Sequence, residues 1–146
     1  MKKTMRILCV ILAFSVVLAI PAYAESTAEP RASIFFAAYG TDLWKASSTS
    51  FEIWFDVDAN AAMMDVIGVS EIIVYRSTDQ QSWTAVKTYD MDDYPEMTTT
   101  YDYSHIGYVT YSDAIPGYYY TADVTFYAKD YRGVGERYVY TEILRM

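Results

Sequence analysis

The nine residues SFEIWFDVD, at positions 50–58, contain an apolar side chain at every second position. These apolar residues are Phe51, Ile53, Phe55 and Val57. In an extended chain, alternate side chains point to opposite faces, so all four fall on one side and Trp54 falls on the other. This period predicts a β-strand with one face on a hydrophobic core and one face in solvent. Such strands are typical of antiparallel sheets that pack against a second layer.

Segments of the same kind recur along the chain, separated by turn residues such as Pro116-Gly117. The further predicted strands cover residues 33–39, 42–46, 69–76, 83–89, 98–103, 108–111, 118–129 and 136–143. Between them we expect a connection with one helical turn at 60–68, an acidic loop at 91–97 and a bend at 104–107. β-branched and aromatic residues, which favour strands, make up 53 of the 122 residues after position 24. The sequence therefore predicts an all-β fold, a single antiparallel Greek-key β-sandwich of seven or eight short strands.

The beginning of the chain has the features of a secretory signal peptide. Positions 1–6 carry three basic residues, positions 7–20 form an apolar run, and Ala22-Tyr23-Ala24 has the small residues that signal peptidase recognises. The apolar run is shorter than the ~20 residues that a membrane-spanning helix needs. We therefore expect a cleaved signal peptide, a secreted, extracellular protein and no membrane insertion after cleavage. The predicted organisation is a signal peptide over 1–24, a flexible arm over 25–32 and the β-sandwich over 33–146.

Charge and cysteine content limit the partners and the chemistry of the secreted form. Removing residues 1–24 takes away three basic residues and no acidic ones, which changes the formal net charge from −8 to −11. A chain this acidic is repelled by nucleic acid and by anionic lipid, so neither is an expected partner. The same cleavage removes Cys9, the one cysteine, so the domain depends on an ordinary core rather than on disulfides.

Residues 115–120, IPGYYY, and the alternating strand that follows resemble strand F of a fibronectin type III-like or immunoglobulin-like β-sandwich. Residues 50–55 resemble strand B of the same family, with Phe55 in place of a core tryptophan. The resemblance implies that Tyr120 is the tyrosine-corner residue, whose hydroxyl bonds back to nearby backbone. The whole layout also resembles small secreted proteins of Gram-positive, clostridia-like bacteria. Both resemblances imply a fold and leave the activity open.

The sequence lacks the residues that most classes of enzyme need for catalysis. The secreted chain has no cysteine nucleophile, and His105, its one histidine, has no Gly-x-Ser-x-Gly motif to serve. A glycosidase needs only two carboxylates, so a small carboxylate-dependent extracellular hydrolase remains an alternative. We predict no catalytic residue and no cofactor.

Calcium is a second alternative, because acidic extracellular domains often bind it. Asp56, Asp58 and Asn60 imitate the start of an EF-hand loop, but the glycine and the glutamate that complete such a loop are missing. A more open set of oxygen ligands occurs in the acidic loop, at Asp90, Asp92, Asp93 and Glu96. This set gives the hypothesis of a calcium-stabilised structural domain.

Tyrosine is the most unusual component, with sixteen in the whole chain. On the last two long strands, the alternation predicts an outward-facing aromatic surface made of Tyr119, Tyr127, Tyr138 and Tyr140. Trp54 is a further outward aromatic residue, expected on the other sheet. Tyrosine offers apolar contact area together with a hydrogen-bonding group, which suits protein contacts and sugar stacking. The sequence therefore predicts a non-catalytic binding module for an unknown extracellular protein or glycan.

Overall fold

The computed structural model describes residues 34–60 and 62–146, which belong to one compact unit. These residues form nine β-strands and one short 3₁₀ helix, with no α-helix among them. The strands are β1 (Phe36–Lys45), β2 (Phe51–Ala59), β3 (Met64–Ser77), β4 (Thr84–Asp90), β5 (Thr98–Asp102), β6 (Ser104–Tyr111), β7 (Tyr119–Asp130), β8 (Gly133–Tyr140) and β9 (Leu144–Arg145), and the 3₁₀ helix is Pro95–Met97. The all-β prediction is confirmed, with one strand more than the upper number expected. The predicted signal peptide and arm lie outside the described residues.

The strands form two antiparallel sheets. Sheet A has the order β1-β2-β6, and sheet B has the order β4-β3-β7-β8. Two short strands extend sheet B, because β5 pairs with one end of β3 and β9 pairs with one end of β7. The chain crosses between the sheets after β2, returns to sheet A for β6 and crosses again before β7. This is the two-layer sandwich that the alternating strands predicted.

The core fills the space between the two sheets. The apolar side of β2 is buried as predicted, and Phe55 is buried with it. Sheet B contributes buried residues from its two central strands: Ile67, Val69, Ile72, Val74, Tyr120, Ala122, Val124, Phe126 and Ala128. A large apolar side chain contributes about 1.5–3 kcal/mol when it is fully buried. This single hydrophobic cluster therefore supplies the stability that disulfides supply in many secreted domains.

The predicted last strand at 136–143 begins and ends about three residues too late, since β8 covers Gly133–Tyr140, and three other predicted segments have the wrong structure. The two expected strands at 33–39 and 42–46 are one strand, because Gly40 stays extended and leaves room for the carboxylate of Asp56 against its backbone. The expected connection at 60–68 is largely strand β3, in which Met64 and Ile67 are completely buried. The expected bend at 104–107 is part of β6, which pairs with β2 along its whole length. In each segment, long-range pairing outweighs the local sequence signal.

Gly68 lies where β3 changes its pairing partner from β5 to β4. The residue has a φ of +152°, and a Cβ atom there would collide with the carbonyl oxygen of Met97. Only glycine tolerates this combination of backbone angle and close approach. A register irregularity follows between Val69 and Glu71, after which β3 continues along β4 instead of β5. The missing side chain lets Met97, the last residue of the 3₁₀ helix, pack directly against β3.

Two hairpin turns of sheet B are closed by aspartate side chains. In the β3–β4 turn, Asp79 accepts the backbone N–H groups of Gln81 and Ser82 at 2.9 and 3.0 Å. These backbone hydrogen bonds lower the pKa of the Asp79 carboxyl. In the β7–β8 turn, Asp130 accepts hydrogen bonds from the backbone N–H and the guanidinium of Arg132, and the guanidinium lowers the pKa of Asp130.

Candidate functional site

The predicted tyrosine surface lies on the outer face of sheet B, but its members are not equivalent. Tyr138 and Tyr140 are 67% and 70% exposed, whereas Tyr119 and Tyr127 are half-buried. The register brings Tyr127, Tyr138 and Tyr140 into one neighbourhood, because β8 pairs with this part of β7. Tyr119 lies at the other end of β7, where its ring faces the Arg145 guanidinium at 5.6 Å. The structure therefore gathers three of the four predicted tyrosines and separates the fourth.

Asp123 lies in the middle of this outer face, paired with Ile73 and Tyr140 on the neighbouring strands. Its Oδ1 atom is buried and has no hydrogen-bond partner among the described residues. Burial raises the pKa of the Asp123 carboxyl, because the charged form loses hydration that nothing replaces. Burial also raises the pKa of Tyr75, and the nearby Asp123 adds to that shift. The unpaired Asp123 carboxyl at the centre of this face therefore lowers the stability of the folded state, which the sequence pattern did not indicate.

A second aromatic surface occupies the outer face of sheet A. Trp54 points outward from β2, as predicted, and lies between Trp44 on β1 and Tyr108 on β6. The ring centroids are 5.6 Å apart for Trp44 and Trp54, and 4.8 Å apart for Trp54 and Tyr108. We call these three residues the aromatic row. Trp44 is 58% exposed and Tyr108 is 48% exposed, so both ends of the row face solvent.

Carboxylates fix the orientation of both indole rings. Trp44 Nε1 donates to Asp42 Oδ2 at 3.0 Å, and Trp54 Nε1 donates to Glu52 Oε2 at 2.8 Å. In each pair the acid lies two residues before the tryptophan, which places both side chains on the same face of the strand. A bound partner would therefore meet rings that are already held, with less conformational entropy to lose.

Trp44 and Tyr108 were not predicted from the sequence to be neighbours of Trp54. The repeated spacing of an acid two residues before a tryptophan was a readable signal for Trp44. Tyr108 had no comparable signal, because its position beside Trp54 depends on the pairing of β6 with β2, and that segment was expected to begin only at residue 108.

A cleft of about 570 Å³ adjoins the aromatic row at the edge of β6, and we call it the lateral cleft. One wall comes from sheet A and contains Trp54, Ile106 and Tyr108. The other wall contains Tyr89 at the end of β4, together with Tyr94 and Glu96 from the loop that follows. Ile106 is 70% exposed and extends the apolar surface of the row into the cleft. A volume of this size matches that of many ligand-binding clefts.

Tyr89 joins the two sheets at one end of the lateral cleft. Its hydroxyl donates to the Thr110 carbonyl of β6 at 3.0 Å, and its ring meets Tyr94 edge-on with centroids 5.0 Å apart. Burial raises the pKa of the Tyr89 phenol to about 12, so the hydroxyl keeps its proton. The Lys87 ammonium lies 5.2 Å from the Tyr89 ring centroid. The hydrogen bond and the ring contacts hold this wall of the cleft in place.

The two residues predicted to be structural occupy the core. Tyr120 is fully buried, and its hydroxyl accepts the backbone N–H of Ile115 at 2.8 Å. This is the hydrogen bond back to upstream backbone that the resemblance implied. Phe55 is also buried, and its ring lies 5.7 Å from that of His105.

The remaining candidate groups do not converge. His105 Nε2 forms a hydrogen bond of 2.9 Å with the backbone carbonyl of Glu96, at the edge of the sandwich. Asp90 Oδ1 accepts the backbone N–H of Asp92 within its own loop. Across residues 34–60 and 62–146, no three histidine, cysteine, aspartate or glutamate side chains are grouped so that they could hold a metal ion. In the same part of the chain, no helix has the length and hydropathy required to span a bilayer.

Comparison with known proteins returned no match, either to a protein-family model or to a curated protein.

Proposed function

We propose that the protein is a secreted, non-catalytic module that binds another extracellular protein through the aromatic row and the lateral cleft. The observation that carries this proposal is the exposure of Trp44, Tyr108 and Ile106 in one continuous surface. Isolated exposed apolar residues are ordinary, whereas a contiguous patch marks an interaction site. Tryptophan and tyrosine are also the residues that most often dominate the binding energy of protein interfaces.

The stacking within the row favours a protein over a glycan. Trp54 and Tyr108 are nearly parallel, with 26° between their planes, and Trp44 covers the opposite side of Trp54. The two faces of Trp54 are therefore covered, and the row presents ring edges together with the outer sides of Trp44 and Tyr108. Sugar stacking uses open ring faces, which the row offers at its two ends and not at its centre, whereas a protein side chain also packs against ring edges. Rings fixed by Asp42 and Glu52 are suited to such packing.

A glycan remains the second candidate because of a smaller depression on sheet A. This depression has a volume of about 230 Å³ and is lined by Asp42, Trp44 and Asp56 among others. Carboxylates beside a tryptophan can accept hydrogen bonds from sugar hydroxyls. The fibronectin type III-like resemblance and the expected signal peptide support an extracellular binding module of either kind.

Substitution of the row tests this proposal. The purified protein is immobilised and exposed to proteins from the culture medium of its own source, and the retained partner is identified and titrated. Trp44→Ala and Tyr108→Ala should each weaken its binding about 30-fold, which corresponds to about 2 kcal/mol at an interface anchor.

Tyr138→Ala and Tyr140→Ala provide the matched control, because these tyrosines are more exposed than the row residues and lie on the other sheet. We expect little change from them. If the control variants lose binding and the row variants keep it, the predicted tyrosine surface is the binding site and the proposal is wrong. Retention on polysaccharide that depends on Trp44, without any protein partner, would favour the glycan candidate.

A further inference from the structure

The backbone of β6 has one side paired and one side open. Tyr89 comes from sheet B, and its hydroxyl reaches the carbonyl of Thr110, so this carbonyl points away from β2. Within an extended strand, the N–H and C=O of one residue point the same way, and successive residues alternate. The backbone groups of Ile106 and Tyr108 therefore also point away from β2.

Hydrogen bonds at the end of β2 lead to the same assignment. Ala59 N donates to Tyr103 O on the β6 side, whereas Asn60 N donates to Phe35 O on the β1 side. The backbone N–H and C=O groups of the odd-numbered residues of β2 thus point toward β6. In the register, these residues are opposite the odd-numbered residues of β6, since Phe55 pairs with Gly107. Ile106 and Tyr108 of β6 are therefore left with free N–H and C=O groups, whereas the carbonyl of Thr110 already accepts the Tyr89 hydroxyl.

The free backbone groups of Ile106 and Tyr108 point into the lateral cleft. Ile106 and Tyr108 line it on one side, and Tyr94 and Glu96 form the opposite wall. An exposed row of backbone donors and acceptors is a template for another extended chain. Side chains on alternate residues of such a chain would enter the cleft or pack on the aromatic row.

We infer that the free edge of β6 receives an extended, basic segment of the partner protein by β-strand addition. This inference rests on the proposed function and specifies how the partner binds. Glu96 is the one charged side chain among the described residues that line the lateral cleft. The Lys87 ammonium packs on the Tyr89 and Tyr94 rings, and the whole chain carries a net charge of −8. A segment with lysine or arginine complements this charge. A second copy of the chain does not, because two acidic molecules repel each other.

A proline at position 106 tests the backbone contribution. The Ile106 N–H faces the cleft, so Ile106→Pro removes a donor for the added strand and leaves the pairing with β2 intact. Ile106→Ala removes the side chain and keeps the N–H. The probe is a set of ten-residue peptides selected from a phage-displayed library on the purified protein.

We expect the selected peptides to be enriched in lysine, arginine and β-branched residues. Their affinity should fall at least tenfold further for Ile106→Pro than for Ile106→Ala, with both variants folded by circular dichroism. Equal affinities for the two variants would overturn β-strand addition. If row variants still lose the natural partner in that case, the proposed function stands and only this binding mode is wrong.

Modified peptides provide a test that does not require the proline variant to fold. Methylating the peptide nitrogens at alternate positions blocks one edge of the added strand, and methylating the other positions blocks the opposite edge. One set should abolish binding and the other should preserve it. Equal effects of both sets would contradict the inference. If the free protein forms dimers in solution and the peptides dissociate them, a second copy of the chain occupies the β6 edge. That result would also overturn the inference.

Discussion

Replacing Tyr120 with phenylalanine removes one hydroxyl group from the centre of the sandwich. The hydroxyl accepts the backbone N–H of Ile115, and Tyr120 is completely buried. The ring itself keeps its packing against Phe51 and Tyr111, whose centroids lie 5.1 and 5.8 Å away. The substitution therefore isolates the hydrogen bond from the apolar contacts.

We expect Tyr120→Phe to lower the free energy of unfolding by about 1–2 kcal/mol, because the Ile115 N–H loses its acceptor. For a domain of this size, that corresponds to a fall in melting temperature of roughly 4–8 °C. Urea unfolding followed by tryptophan fluorescence should show a lower midpoint with an unchanged slope. An unchanged slope would show that the variant unfolds from the same compact state.

Tyr118→Phe is the matched control. Tyr118 is half-buried beneath the Arg76 guanidinium, and its hydroxyl forms no hydrogen bond with the described residues. Its loss should change the stability by less than about 0.5 kcal/mol. If both variants unfold at the wild-type midpoint, the Tyr120 hydrogen bond does not stabilise the strand crossing that precedes β7.

Asp123→Asn should stabilise the protein at pH 7 by less than about 1 kcal/mol, because it removes a partly buried, unpaired charge but keeps a polar group at the same position. The raised pKa means that the folded state holds the Asp123 proton more tightly than the unfolded state, so the gain in stability should vanish once the pH falls below the pKa of Asp123 in the unfolded chain. Thermal melts of both proteins at pH 7 and below that pKa check this, and the same difference in melting temperature at both pH values would contradict it. Gly68→Ala should prevent folding or cost more than about 3 kcal/mol, since its Cβ would collide with Met97; a wild-type melting temperature would refute the close approach. Tyr89→Phe should cost about 1 kcal/mol and remove absorbance change near pH 12 from a tyrosine titration; loss of absorbance change near pH 10 instead would show that the Tyr89 phenol is exposed. N-terminal sequencing of secreted protein should begin at Glu25, and a sequence that still contains Lys2 would refute the signal peptide.

Strand identity was predictable wherever one face is buried and the other is wet. The alternation over residues 50–58 and 118–129 gave the correct facing for β2 and β7, including the inward position of Tyr120 and the outward position of Trp54. Local alternation is visible because burial imposes it directly on the sequence. The same signal is weak in β6, where Gly107 interrupts the apolar pattern, and there the prediction failed.

The candidate site was less predictable because it depends on register. Trp44, Trp54 and Tyr108 lie on three strands, and they meet because of pairings between segments far apart in sequence. A shift of one residue would turn any of them to the opposite face. The lateral cleft depends in addition on Gly68, whose missing Cβ lets Met97, at the end of the 3₁₀ helix that follows Tyr94, approach β3 closely.

The aspartate-closed turns have a consequence for resistance to proteolysis in acid. The lowered pKa values of Asp79 and Asp130 mean that their hydrogen bonds are complete near neutrality and are lost when acid protonates the carboxylates below their usual range. Both turns would then loosen while the core between the sheets stays intact. Exposed, loosened turns are the places where proteases cut first. In acid, therefore, nicking should begin at these two hairpin tips, well before the sandwich itself unfolds.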